Sequence, residues 1–239
     1  MNAEGIQCFD GKTENNFTLH AHLLSFSGDL PALAKVMYTT GHNSYKACCF
    51  CSIRGVYCKG NQHVYFPLKP PTSMLGNQYD PKNLPLRMHK DYICDATAVE
   101  CMNGPLHKRL NGQSILFELK SIEFPASFPV DIMHGLFENI APSMLQHWSG
   151  TFFKDDQSSD FGHPPIDIQR HLAALKAEDW LNWVVLYSLP LLQGHLPERH
   201  LNGWAKFVHA TKLCLKQSIS TAELSEINSL FCGFVVHYE

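Results

Sequence analysis

The run Phe17-Thr18-Leu19-His20-Ala21-His22-Leu23-Leu24-Ser25-Phe26-Ser27-Gly28-Asp29-Leu30-Pro31-Ala32-Leu33-Ala34-Lys35-Val36-Met37 decides how this chain is read. Apolar, β-branched and aromatic residues from Phe17 to Phe26 fit a mostly buried strand. Gly28 permits a tight exit, which leaves Asp29 at the strand's carboxyl end. Pro31 suits an early helix position, and Ala32 to Met37 reads as the helix that follows. Strand, acid and helix in that order present a carboxylate that can hold Mg²⁺. Asp29 reads equally as a helix cap that accepts backbone hydrogen bonds and complements the helix dipole.

Working outward, Gly5 to Phe9 forms a second strand-like run, joined to Phe17 by the polar turn Asp10 to Asn16, so a hairpin is expected. From Tyr38 to Leu86 the chain is rich in Gly, Pro, Asn and Cys, with Lys69-Pro70-Pro71 and Tyr79-Asp80-Pro81 as breakers. An irregular stretch of this kind needs outside support, which a metal would supply. Beyond Pro129 the period becomes helical. Trp180, Trp183, Val184, Tyr187 and Leu191 share one stripe, and Leu224, Ile227, Phe231, Phe234 and Val235 another, both read as helical core. Ser220 with Glu223 makes a capping box for the last helix. The expected organisation is α/β plus α: residues 1–60 hold the strands and a cysteine loop, 61–128 an irregular Pro/Gly-rich connector, and 129–239 a helical region.

Nineteen residues after Asp29, Cys48 opens a Cys-x-x-Cys pair closed by Cys51. One turn with this spacing can place two thiolates on a zinc ion, which takes four ligands in a tetrahedron. Two more would have to come from elsewhere, with His42, Cys49, Cys58 and His63 nearby in sequence and His134, His195 and His200 farther away. The pair also reads as reduced cysteines in a loop; a thioredoxin-like role fits poorly away from a strand-to-helix turn. In Phe124 to Asn139, Asp131, His134 and Glu138 fall on one helical face, either as metal ligands or as a capping acid, a satisfied histidine and a solvated glutamate.

Bulk properties narrow the classes. With 239 residues, 45% hydrophobic and 17% charged, the chain can bury a core. Its 19 Lys and Arg against 22 Asp and Glu leave a charge of −3, so no global basic field advertises nucleic acid. Nine cysteines, an odd number at uneven spacing, favour a reducing compartment over a disulfide framework. No apolar run approaches the roughly 18 to 20 residues that span a bilayer, so no membrane partner is expected.

Several strings together resemble the CACTA (En/Spm) DNA transposases, in the form found in basidiomycete fungi. They are Phe17 to Leu33, Thr40-Gly41-His42-Asn43, Cys48 to Val56, Tyr65 to Leu68, Asn83 to Arg87, Phe124 to Asn139, His147-Trp148 and Trp180 to Pro197. The resemblance covers nearly the whole chain in the family's order. It implies an RNase H-like catalytic core, here represented by a few strands and followed by a helical insertion region. In that family three acids hold two divalent metals, Mg²⁺ or Mn²⁺, for DNA cleavage and strand transfer.

By that resemblance Asp29 corresponds to the second catalytic aspartate, and Cys48 with Cys51 to the cysteine half of a structural zinc site. The Asp-to-Cys spacing is similar to that of the V(D)J recombinase catalytic subunit. The family's first aspartate and final glutamate have no counterpart in this chain, nor does its zinc-binding histidine pair, to which His195 and His200 are not assigned. The expectation is therefore an incomplete, catalytically inactive transposase with DNA ends as its ancestral partner and a nuclear location, although no targeting signal is visible. An unpartnered apolar strand at Phe17 to Phe26 would also favour self-association. The alternative is a non-catalytic, zinc-stabilised module that binds DNA or protein.

Overall fold

The computed structural model describes residues 5–41, 43–59, 62–69, 78–101, 110–149 and 175–239. They divide into two compact units, one of Met1–His42, Lys46–Cys51 and Leu86–Val130, the other of Asn43–Tyr45, Ser52–Pro85 and Asp131–Glu239. These bounds differ from the expected 1–60, 61–128 and 129–239, because the chain leaves the first unit after Cys51 and re-enters it at Leu86. Among the described residues no helix is long and apolar enough to cross a membrane.

The first unit begins with the expected hairpin, β1 (Ile6–Asp10) antiparallel to β2 (Asn15–Leu19), with Ile6 opposite Leu19 and Asp10 opposite Asn15. The single strand expected from Phe17 to Phe26 is instead split. Its first part ends at Leu19, where the partner strand runs out, and β2 is exposed rather than buried. Its far end lies beside residues 127–130: Phe26 N–H donates to Ser127 O at 2.9 Å, and Gly28 bridges Val130 in parallel. Helix α1 (Leu30–Val36) then starts where the sequence places it, with Pro31 in its first turn. Tyr38, at φ 56°, turns the backbone left-handed and ends it.

The largest departure is α2 (His89–Cys101), a 13-residue helix inside the stretch expected as an irregular connector. Asp91 accepts from Met88 N–H at 2.8 Å and so caps the start. Only Tyr92 and Ala96 are buried along it, one helical turn apart. They join Leu33 of α1 and Met37 just after it with Cys49, Leu110, Ile122, Phe124 and Phe128 in this unit's core.

The second unit contains a short hairpin, β3 (Val56–Cys58) with β4 (His63–Tyr65), and the helices α3 (Ala141–Trp148), α4 (Ala177–Asn182), α5 (Ser188–Leu192), α6 (Glu198–Cys214) and α7 (Thr221–Tyr238). Two of these helices are entered through wide π turns, Met133–Ile140 and Trp183–Tyr187, where Ala141 N–H reaches Leu136 O and Ser188 N–H reaches Trp183 O. Each precedes a proline, Pro142 or Pro190. A proline lacks the N–H for the ordinary bond and its ring crowds the carbonyl four residues back, so widening the helix relieves both. The inserted residue also moves the expected stripe. Trp180, Trp183 and Val184 are buried as anticipated, but Ser188 and Leu192 follow them inward while Tyr187 and Leu191 are exposed. In α7 Ile227 and Phe234 are buried, whereas Leu224 and Val235 face outward.

Candidate metal centre

Asp29 is half-buried at the start of α1, and its Oδ1 accepts the Ala32 N–H at 2.6 Å. This is the geometry of a helix cap, and it commits one carboxylate oxygen to the backbone. A two-metal centre needs several carboxylates around two cations. Among the described residues no group of three or more His, Cys, Asp and Glu side chains is arranged to hold a metal ion. Among the described residues the donor set around Asp29 therefore does not fit a two-metal centre for Mg²⁺ or Mn²⁺.

The cysteine pair is different. The Cys51 thiol donates to Cys48 Sγ at 3.1 Å, and the Cys51 backbone N–H points at the same sulfur from 3.3 Å. The Cys51 thiol, chiefly, draws Cys48 down to about 6 against the upward push of burial, and the Phe50 and Cys51 backbone N–H groups and the Arg87 charge add to it. Cys49, between them, turns the other way: its sulfur lies 3.6 Å from Thr39 Oγ1 within the core, and burial raises its thiol. Two convergent sulfurs, one favoured as thiolate, fit half of a tetrahedral zinc site.

Among the other ligands considered, His42 lies outside the described residues. Cys58 and His63 face each other across β3 and β4, and His63 Nδ1 is 3.2 Å from Asn43 Oδ1. His134 sits between two carboxylates, Nδ1 at 2.6 Å from Asp131 Oδ2 and Nε2 at 3.6 Å from Glu138 Oε2. Opposite edges of one ring thus hold the two acids apart, and the trio forms a relay of polar contacts rather than a chelate. Asp131 also accepts the Met133 N–H at 2.8 Å, and its carboxyl is held below the usual range first by His134 and then by that amide. His195 is exposed, while His200 is buried with Nδ1 3.2 Å from His237 Nε2. The structure does not bring His195 and His200 to one ion.

Two residues around the cysteine turn had no role in the sequence reading. Arg87, its side chain fully buried, donates its backbone N–H to Phe50 O at 2.9 Å and its Nη2 to Asp95 at 3.1 Å. Its guanidinium carbon lies 3.7 Å above the Tyr92 ring, and the Tyr92 hydroxyl donates to Cys49 O. Arg87 does fall within the family-like string Asn83 to Arg87, but a lone arginine beside Leu84, Pro85 and Leu86 carries no local sign of burial. Compared with known proteins, the chain matches no family model, no curated protein and no solved structure.

Proposed function

We propose that this chain is transposase-derived, from the CACTA group of DNA transposases, whose role is metal-dependent DNA cleavage and strand transfer. The observation that supports the reading most is the convergence of Cys48 and Cys51, 3.1 Å apart, in the same compact unit as the helix-capping Asp29. On this reading the thiol pair is the cysteine half of a structural zinc site, and Asp29 is the one catalytic acid the chain matches in an RNase H-like core. A single acid cannot clamp both attacking and leaving oxygens. The 239 residues by themselves are therefore not expected to join DNA strands.

Transposon-end DNA incubated with the purified chain and Mg²⁺ or Mn²⁺ tests this directly. Binding of end DNA in preference to unrelated duplex, without cleavage, is the expected result. Metal-dependent cleavage lost in Asp29→Ala would overturn the inactive reading, and equal affinity for all duplexes would overturn the assignment of transposon ends as partner. Reversible Cys48–Cys51 disulfide formation without bound metal would instead mark a redox protein.

A further inference from the structure

The Cys48–Cys51 turn is held from outside at three places, all supplied by residues 86–92. Leu86 bridges Cys51 in antiparallel fashion, the Arg87 N–H donates to Phe50 O at 2.9 Å, and the Tyr92 hydroxyl donates to Cys49 O. Two successive carbonyls, of Cys49 and Phe50, are thereby tied back by named donors. A peptide whose carbonyl is drawn to one side presents its N–H to the other, and the Cys51 N–H is the one that meets Cys48 Sγ at 3.3 Å.

Arg87 adds a second observation. Its side chain is fully buried, and its Nε and Nη1 have no hydrogen-bond partner. Leaving buried N–H groups unmade is costly, more so on a charged group. The side chain is held in this place by its bond to Asp95 and its position over the Tyr92 ring, the same ring whose hydroxyl ties back Cys49 O.

We propose that Tyr92 and Arg87 are positioning residues that pre-organise the Cys48–Cys51 turn for a soft divalent metal. The inference rests on the zinc reading above. Tyr92 fixes the Cys49–Phe50 peptide, whose N–H is that of Phe50, and the Arg87 backbone N–H fixes the next peptide, whose N–H meets Cys48 Sγ. The Arg87 side chain anchors that backbone donor through Asp95 and the Tyr92 ring. Outer groups of this kind commonly alter metal affinity by about 10- to 100-fold when removed.

The test is cobalt(II) titration of the full chain, read by the thiolate-to-cobalt absorption band and followed by zinc competition. Tyr92→Phe keeps the ring beneath Arg87 and deletes one oxygen. It is expected to weaken cobalt binding about 10-fold under conditions where circular dichroism shows the metal-free variant fully folded. Arg87→Met leaves the backbone donor in place but removes its anchor to Asp95, so it should weaken binding by less, and Arg87→Lys, which can still reach Asp95, should restore part of that loss. Should Arg87→Met fail to fold, Tyr92→Phe carries the test. Wild-type binding with unchanged affinity in Tyr92→Phe would overturn this inference and leave the zinc reading standing. No cobalt uptake by the wild type would overturn both.

Discussion

The α6–α7 hairpin and the Cys48–Cys51 turn are ordered by opposite means. In the hairpin, Trp204 is fully buried, stacks on Phe207 at 4.7 Å, meets Trp148 edge-on at 5.1 Å and donates Nε1–H to Ser188 Oγ at 2.9 Å. Stacked and edge-on rings order that region, although the indole N–H groups of Trp148 and Trp183, both packed against Trp204, have no hydrogen-bond partner. Around the cysteines sulfur and charge take the place of stacked rings. Two sulfurs press together, two nitrogens of a buried guanidinium have no hydrogen-bond partner, and three contacts to its backbone hold the loop. Both regions keep buried N–H groups unmade, so what separates them is the surrounding chemistry: packed rings in the first, two convergent sulfurs in the second.

The strongest attempt to break the comparison is Trp204→Ala. Deleting a fully buried indole costs about 3 to 5 kcal/mol, enough to consume much of an ordinary domain's stability. Urea denaturation followed by helical circular dichroism should show that loss. A change under 1 kcal/mol would mean that the aromatic core is not what holds the helical unit. A metal supplies the matching test for the cysteine turn. Zinc at about 100 times its Kd should add about 2.7 kcal/mol to the wild type and nothing to Cys51→Ser. Equal denaturation midpoints with zinc and with chelator would mean that the cysteine turn, like the aromatic hairpin, draws no stability from a metal.

What was legible in the sequence follows the same division. Asp29 and α1 were readable because the cap, the early proline and the following apolar run are all local. The Ser220–Glu223 box was readable for the same reason. Helix α2 was not, since only Tyr92 and Ala96 turn inward and no apolar period announces it. The stripe from Trp180 slipped at Leu191 because the wide turn before Pro190 shifts the register by one residue, a signal present in the proline but not in the pattern of apolar residues. At the candidate site the cysteine pair was visible from spacing. Arg87 and Tyr92 were not, because their roles come from backbone bonds to residues 37 and 43 positions away along the chain.

Gly203 sharpens the picture of the hairpin. A Cβ there would stand 2.3 Å from the His237 ring, so the two helices meet at a position that admits no side chain. Gly203→Ala gains about 1 kcal/mol in helix propensity and loses about 1 to 3 kcal/mol to overpacking, for a net destabilisation of about 1 kcal/mol. In a His237→Ala background the clash is absent and the same substitution should become neutral or stabilising. A double-mutant cycle showing no coupling would remove His237 from the interface.

The smallest expected effect lies at the N-terminus of α7, where the hairpin resembles the cysteine turn in depending on a few polar contacts. Ser220 Oγ accepts the Glu223 N–H at 3.3 Å, Glu223 Oε2 accepts the Ser220 N–H at 2.8 Å, and Lys216 Nζ lies 2.5 Å from Glu223 Oε1. Lys216 first, and then the Ser220 amide and hydroxyl, draw the Glu223 carboxyl from its ordinary 4.5 to about 2. Because the folded value is the lower one, the stabilisation is fully present above about pH 4.5 and drains as pH falls toward 2. Ser220→Ala should cost about 1 kcal/mol at neutral pH. Glu223→Gln should flatten the acid limb of the stability curve and lower the neutral plateau by the same amount, an amount kept small because an exposed ion pair is screened by salt. Should the acid limb of Glu223→Gln coincide with that of the wild type, the cap draws its strength from the serine alone, and the hairpin is even less dependent on charge than its contrast with the cysteine turn requires.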